Sequence, residues 1–74
     1  MGTKKDPGEF DCYKEAKPDE PMFVLLARDP LAPNLVRRWA KRRLAAGDAN
    51  PEKIAEARAC AKQMEEWAAA NADD

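Results

Sequence analysis

Residues 47–52 read Gly-Asp-Ala-Asn-Pro-Glu, and no other stretch constrains this chain as much. Gly47 suits the left-handed position just past a helix end, where a Cβ is penalised. Asn50 has a side-chain oxygen that can accept from a first-turn N–H. Pro51 brings a preset φ to the first helical position, and Glu52 sits well at the positive end of a helix dipole. One helix therefore stops and another starts within this stretch. So short a connection makes the two antiparallel neighbours.

The second of these helices is expected over about 51–71. Ile54, Ala57, Ala61, Met64 and Ala68 recur at spacings of three or four, with Cys60 and Trp67 beside them. The small side chains of Ala57, Cys60 and Ala61 predict close approach of another helix. Glu52, Lys53, Glu56, Lys62, Gln63 and Glu66 fall on the polar side. The first helix is expected over about 33–46, with an apolar stripe of Leu35, Val36, Trp39, Ala40 and Leu44. Arg37, Arg38, Lys41 and Arg42 lie on its far side. Asp29-Pro30 precedes it as a cap-type pair. Pro33 disturbs a first turn counted from Asp29, so a turn at 29–32 is expected instead.

Residues 19–33, DEPMFVLLARDPLAP, are the most apolar run. As a strand, MFVLLA has no partner segment, and a lone strand leaves its ladder groups unsatisfied. As a helix over about 19–28 it has Asp19 as N-cap, with Glu20 and Pro21 in the first turn. That helix must be largely buried, within the domain or against a second subunit. Residues 9–16, EFDCYKEA, alternate Phe10 and Cys12 with acids, which fits a short extended segment. The resulting expectation is an all-α fold: an irregular tail over 1–18, then one small domain over 19–74. In that domain a short helix packs on an antiparallel two-helix hairpin.

A chain of 74 residues holds one small domain. At this size a fold buries only about 60% of the surface its unfolded chain exposes, and partner subunits or unusually good helix packing commonly make up the shortfall. The net charge of −1 hides an asymmetry, because residues 31–47 hold Arg37, Arg38, Lys41, Arg42 and Arg43 and no acid. Such a patch can guide an anionic partner. There is no His and there are only two Cys, 12 and 60. Four zinc-type ligands cannot be assembled in one chain, and no Ser–His or Cys–His pair exists. No metal and no cofactor is expected, and the chain is read as non-enzymatic. The N-terminus lacks the apolar core of a signal peptide, and Asp6 stands where a myristoylation signal wants Ser or Thr. No apolar run approaches the ~20 residues of a membrane span. Both thiols are expected to be free in a reducing cytoplasm.

The candidate binding residues are few. Arg28-Asp29 can recognise a ligand through a bidentate guanidinium; the plainer reading makes Asp29 a cap and gives Arg28 to a nearby carboxylate or carbonyl. Arg37, Arg38, Lys41 and Arg42 form either a solvated face or a surface for phosphate or an acidic protein. Asp19-Glu20 reads as a cap and a dipole-favoured neighbour rather than an acid–base pair. Phe23, Leu26, Trp39, Met64 and Trp67 are the expected core or interface anchors.

The stretch FDCYKEAKPDEPMFVLLARDPLAPNLVRRWAKRR, with EKIAEARACAKQMEEW behind it, resembles a family of small, functionally uncharacterised proteins encoded by bacteriophages and prophage regions. The resemblance rests on Phe10 to Tyr13, Asp19 to Phe23, Leu26 to Pro30, Ala32-Pro33, Trp39-Ala40, and Ala57 to Trp67. It implies a phage-type accessory protein in the bacterial host cytoplasm, one that binds a host or phage component. The Arg37–Arg43 cluster is more basic here than in that family. Three functions follow as expectations. The first is a homo-oligomeric protein–protein interaction module. The second is a binder of nucleotide or phosphate near Arg28 and Asp29 or on the basic stripe. The third is a nucleic-acid binder using Arg37, Arg38, Lys41 and Arg42.

Overall fold

The computed structural model describes residues 1–47 and 49–72. Asp48, within the predicted boundary, and the C-terminal pair Asp73 and Asp74 lie outside the described residues. Among those described there are three helices and no strand: α1 (Cys12–Glu15), α2 (Ala32–Ala45) and α3 (Pro51–Ala70).

The start of α3 follows the sequence signals. Asn50 is extended at ψ 116° and its side chain accepts from the Glu52 N–H at 3.0 Å. Pro51 fills the first helical position, where no N–H is needed. At the far end Asn71 donates to the Trp67 carbonyl twice, from its backbone at 3.0 Å and its side chain at 2.8 Å. The helix α2 ends as predicted: Gly47 takes φ +84° and its N–H reaches the Leu44 carbonyl at 3.2 Å. At its start Asp29 shapes the turn rather than capping the helix. The Asp29 carboxylate accepts from the Leu31 N–H at 2.9 Å and its carbonyl from the Ala32 N–H at 3.0 Å.

The helices α2 and α3 pack on each other through small side chains. Ala40, Ile54 and Ala57 form the centre, and Met1, Val36 and Ala49 press against it. Arg37 in the first half of α2 reaches Glu65 in the last third of α3. Farther along α2, Trp39 lies under the Lys53 ammonium at 5.9 Å, a cation–π distance. Ala32, Ala40, Ile54, Ala57 and Ala61 are the buried apolar residues.

Three expectations need correction. First, residues 19–28 are not a helix. Glu20 is taken by a different local structure: its N–H bonds the Lys17 carbonyl and its carboxylate accepts from the Lys17 N–H, both at 3.0 Å. At the other end the Asp29 N–H bonds the Leu26 carbonyl at 3.0 Å. With both flanks closed as turns, Pro21–Leu25 is too short to offset helix nucleation. Second, the extended reading of 9–16 gives way to α1, because the Asp11 side chain accepts from the Tyr13 N–H at 3.1 Å and starts a helical turn. Third, of the residues expected as core or interface anchors, Phe23, Leu26, Trp39 and Trp67 are exposed, which removes the core alternative for these four. Phe23 is 85% exposed and Trp67 50%. On α2 the buried line is Ala32, Val36 and Ala40, which leaves Leu35, Trp39 and Leu44 on a neighbouring exposed ridge.

The first ten residues are irregular yet fastened to α3. The Met1 ammonium donates to the Pro7 carbonyl at 2.7 Å, to the Phe10 carbonyl, and to Glu56 Oε1 at 2.6 Å. The Glu9 and Phe10 N–H groups also donate to the Glu56 carboxylate, each at 3.2 Å. Gly8 permits this wrapping. Its φ is +79°, and a Cβ there would lie 2.5 Å from both Glu56 Oε1 and the Met1 carbonyl oxygen.

Candidate functional site

Two surface hollows collect most of the residues that sequence reasoning singled out. The first lies between the irregular segment 25–28 and the second half of α3. It is a cleft of about 230 Å³ lined by Leu25, Leu26, Arg28, Cys60, Met64 and Trp67, among others. The fold brings Leu26, Arg28, Met64 and Trp67 together here although they are far apart in sequence. Arg28 is exposed and forms no hydrogen bond or ion pair among the described residues. Asp29 does not pair with it, because its carboxylate is turned to the Leu31 N–H. The cleft is therefore apolar with an unengaged cation at its edge.

Cys60 adds a half-buried thiol to that cleft. Burial pushes its pKa up first of all; the nearby Met1 ammonium pulls it down and Glu56 pushes it up. A raised thiol is a poor nucleophile at neutral pH, so Cys60 contributes packing rather than reactivity. Cys12 is exposed, and both cysteines are free.

The second hollow lies on α2. It is an open depression of about 330 Å³ lined by the apolar Leu35, Trp39 and Ala46 and by the basic Arg38, Arg42 and Arg43. The predicted basic stripe is divided by the fold. Arg37 leaves it for a bidentate bond to Glu65, with Nη1–Oε2 at 2.8 Å and Nη2–Oε1 at 2.5 Å. That bond raises the Arg37 pKa and holds the Glu65 carboxyl below its ordinary range. Both groups are solvent-exposed, so water and salt screen the pair and its share of stability is small. Arg38, Lys41 and Arg42 stay exposed. Lys41 and Phe23 line neither hollow.

Sequence reasoning missed the most connected carboxylate among the described residues. Glu56 sits on the polar side of α3, where a solvated carboxylate is the ordinary outcome. Instead it gathers the Met1 ammonium and two backbone N–H groups. The ammonium bond is the main cause of its lowered pKa; burial opposes it and the Phe10 and Glu9 N–H groups assist. These partners are 46 to 55 positions away in sequence, so no local signal marks the site.

No group of three or more acidic or cysteine side chains able to hold a metal ion occurs among the described residues. None of the described helices is long and apolar enough to cross a membrane. Compared with family models, with curated proteins and with solved structures, the chain finds no match in any of the three.

Proposed function

We propose that this chain is a small, non-enzymatic interaction protein of phage type, working in the bacterial cytoplasm. It associates with copies of itself, and the assembly binds a protein component of host or phage. The antiparallel hairpin of α2 and α3 is its scaffold, and the apolar residues outside the hairpin core are its contact surface.

The observation that carries this reading is surface area. The chain exposes 6347 Å² at a mass of 8.3 kDa. A compact monomer of that mass exposes about 4,600 Å², so the excess is about 1,800 Å². That is the scale of a standard protein–protein interface. The exposed surface includes large apolar side chains, among them Phe23, Val24, Leu31, Leu44 and Trp67. Sedimentation over a wide concentration range tests the reading: particles heavier than 8.3 kDa are expected, growing with concentration. A single monomer throughout rejects it.

A second reading rests on Arg28. An unengaged guanidinium in the same lining as Trp67, in an apolar cleft of about 230 Å³, suits a ligand with a phosphate and an aromatic ring, such as a nucleotide. Thermal shift with linear and cyclic nucleotides tests this, with Arg28→Ala as control. No shift with any of them removes it.

A further inference from the structure

Resting on the self-association just described, we propose how one copy meets the next. Residues 19–24 of one copy dock in the Trp39 hollow on α2 of another, placing Phe23 on Leu35 and Trp39 and placing Asp19 and Glu20 against Arg38 and Arg42.

Three observations support this pairing. Segment 19–24 is built to be received rather than buried. Phe23 is 85% exposed and Val24 63%, and the Met22, Phe23 and Val24 N–H groups form no hydrogen bond among the described residues. Asp19 has no partner there either, and Glu20 uses its side chain only on the Lys17 N–H. The segment thus presents two carboxylates followed by a run of exposed apolar side chains. The hollow presents the complement, with the apolar Leu35 and Trp39 and the basic Arg38 and Arg42 in one lining.

Charge decides between a second copy placed head-to-tail and one placed face-to-face. Residues 31–47 hold five of the thirteen basic residues and none of the fourteen acidic ones. Two copies meeting α2 to α2 would oppose like charges, which costs affinity. Segment 19–24 carries two acids and no base, so it matches. It does not line the hollow of its own chain, and the contact is therefore between copies. Each copy then gives one surface and receives another, the heterologous arrangement that closes into a ring or extends as a filament.

Two variants test the pairing. Phe23→Asp removes the docking segment's anchor, and Arg38→Glu with Arg42→Glu reverses the charge of the hollow. All three positions are exposed, and circular dichroism checks that the helices persist. Each variant alone is expected to self-associate at least about tenfold more weakly than the parent chain. Mixed in equal amounts, they are expected to form a one-to-one dimer and nothing larger, because one intact segment faces one intact hollow. Variants that keep the parent's size, or a mixture that stays monomeric, overturn the proposed contact while leaving self-association standing. A parent chain that is monomeric at every concentration overturns both.

Discussion

Gly8 and Gly47 share a left-handed backbone, at φ +79° and +84°, and differ in what surrounds them. At Gly47 an added Cβ meets open space, so Gly47→Ala carries only the backbone penalty, roughly 1–2 kcal/mol. At Gly8 the same methyl also strikes Glu56 and the Met1 carbonyl. Gly8→Ala is expected to lower stability more than Gly47→Ala in urea unfolding; equal losses would contradict the wrapping of residues 1–10 around Glu56. The carboxylate itself sets an acid limit. The folded pKa of Glu56 lies below its unfolded value. Its contribution is complete above the unfolded carboxylate value of about 4.3 and disappears as pH falls through the lowered folded value. Glu56→Gln is expected to destabilise the chain at neutral pH and to flatten the acid side of the stability–pH curve. A slope unchanged from the parent chain would contradict this. At the two cysteines, exposure and burial predict order: iodoacetamide labels Cys12 well before Cys60 in the folded protein, read by mass spectrometry.

The elements differ in how they are specified. At the start of α3 the signals are local: Asn50, Pro51 and Glu52 act within one turn, and Asn50→Ala is expected to cost about 1 kcal/mol in thermal or urea unfolding. The contact between α2 and α3 was legible too, because Ala57 and Ala61 mark a face that another helix approaches closely. Both are fully buried, as is Ala40 opposite. Ala57→Leu is expected to cost about 1–3 kcal/mol by forcing the helices apart; a neutral result would mean that α2 and α3 do not meet there. Segment 19–28 was misread for a physical reason. Its cap-type residues Asp19 and Glu20 are equally suited to turns, and the Lys17–Glu20 turn won. The α2 stripe was read only in part: it includes Val36 and Ala40, which pack at the core, but also Leu35 and Trp39, which form as regular a line and stay exposed. Periodicity finds both ridges without saying which one faces α3.

At the scale of the whole molecule, α2 and α3 pack through small residues and large ones surround them. Its core holds alanines and Ile54, with no large side chain fully buried among the described residues, while Phe23, Leu31 and Trp67 are half exposed or more. Its radius of gyration is 12.9 Å, against about 11 Å for a compact chain of this length. Assembly coupled to folding then predicts a thermal midpoint that rises with protein concentration, because the folded form is favoured by mass action. A midpoint independent of concentration would contradict that coupling. By itself the sequence determined the helical class, the end of α2 at Gly47 and the start of α3 at Asn50, the boundaries of both helices to within about a residue or two, and the alanine face of α3. Caps, prolines and spacing act over a few residues and can be read along the chain. Only the tertiary structure decided that Glu56 holds the N-terminal segment, that Arg37 leaves the basic stripe for Glu65, and that Arg28 and Trp67 line one cleft. Each of those joins groups tens of residues apart, and such contacts exist only once the helices have packed.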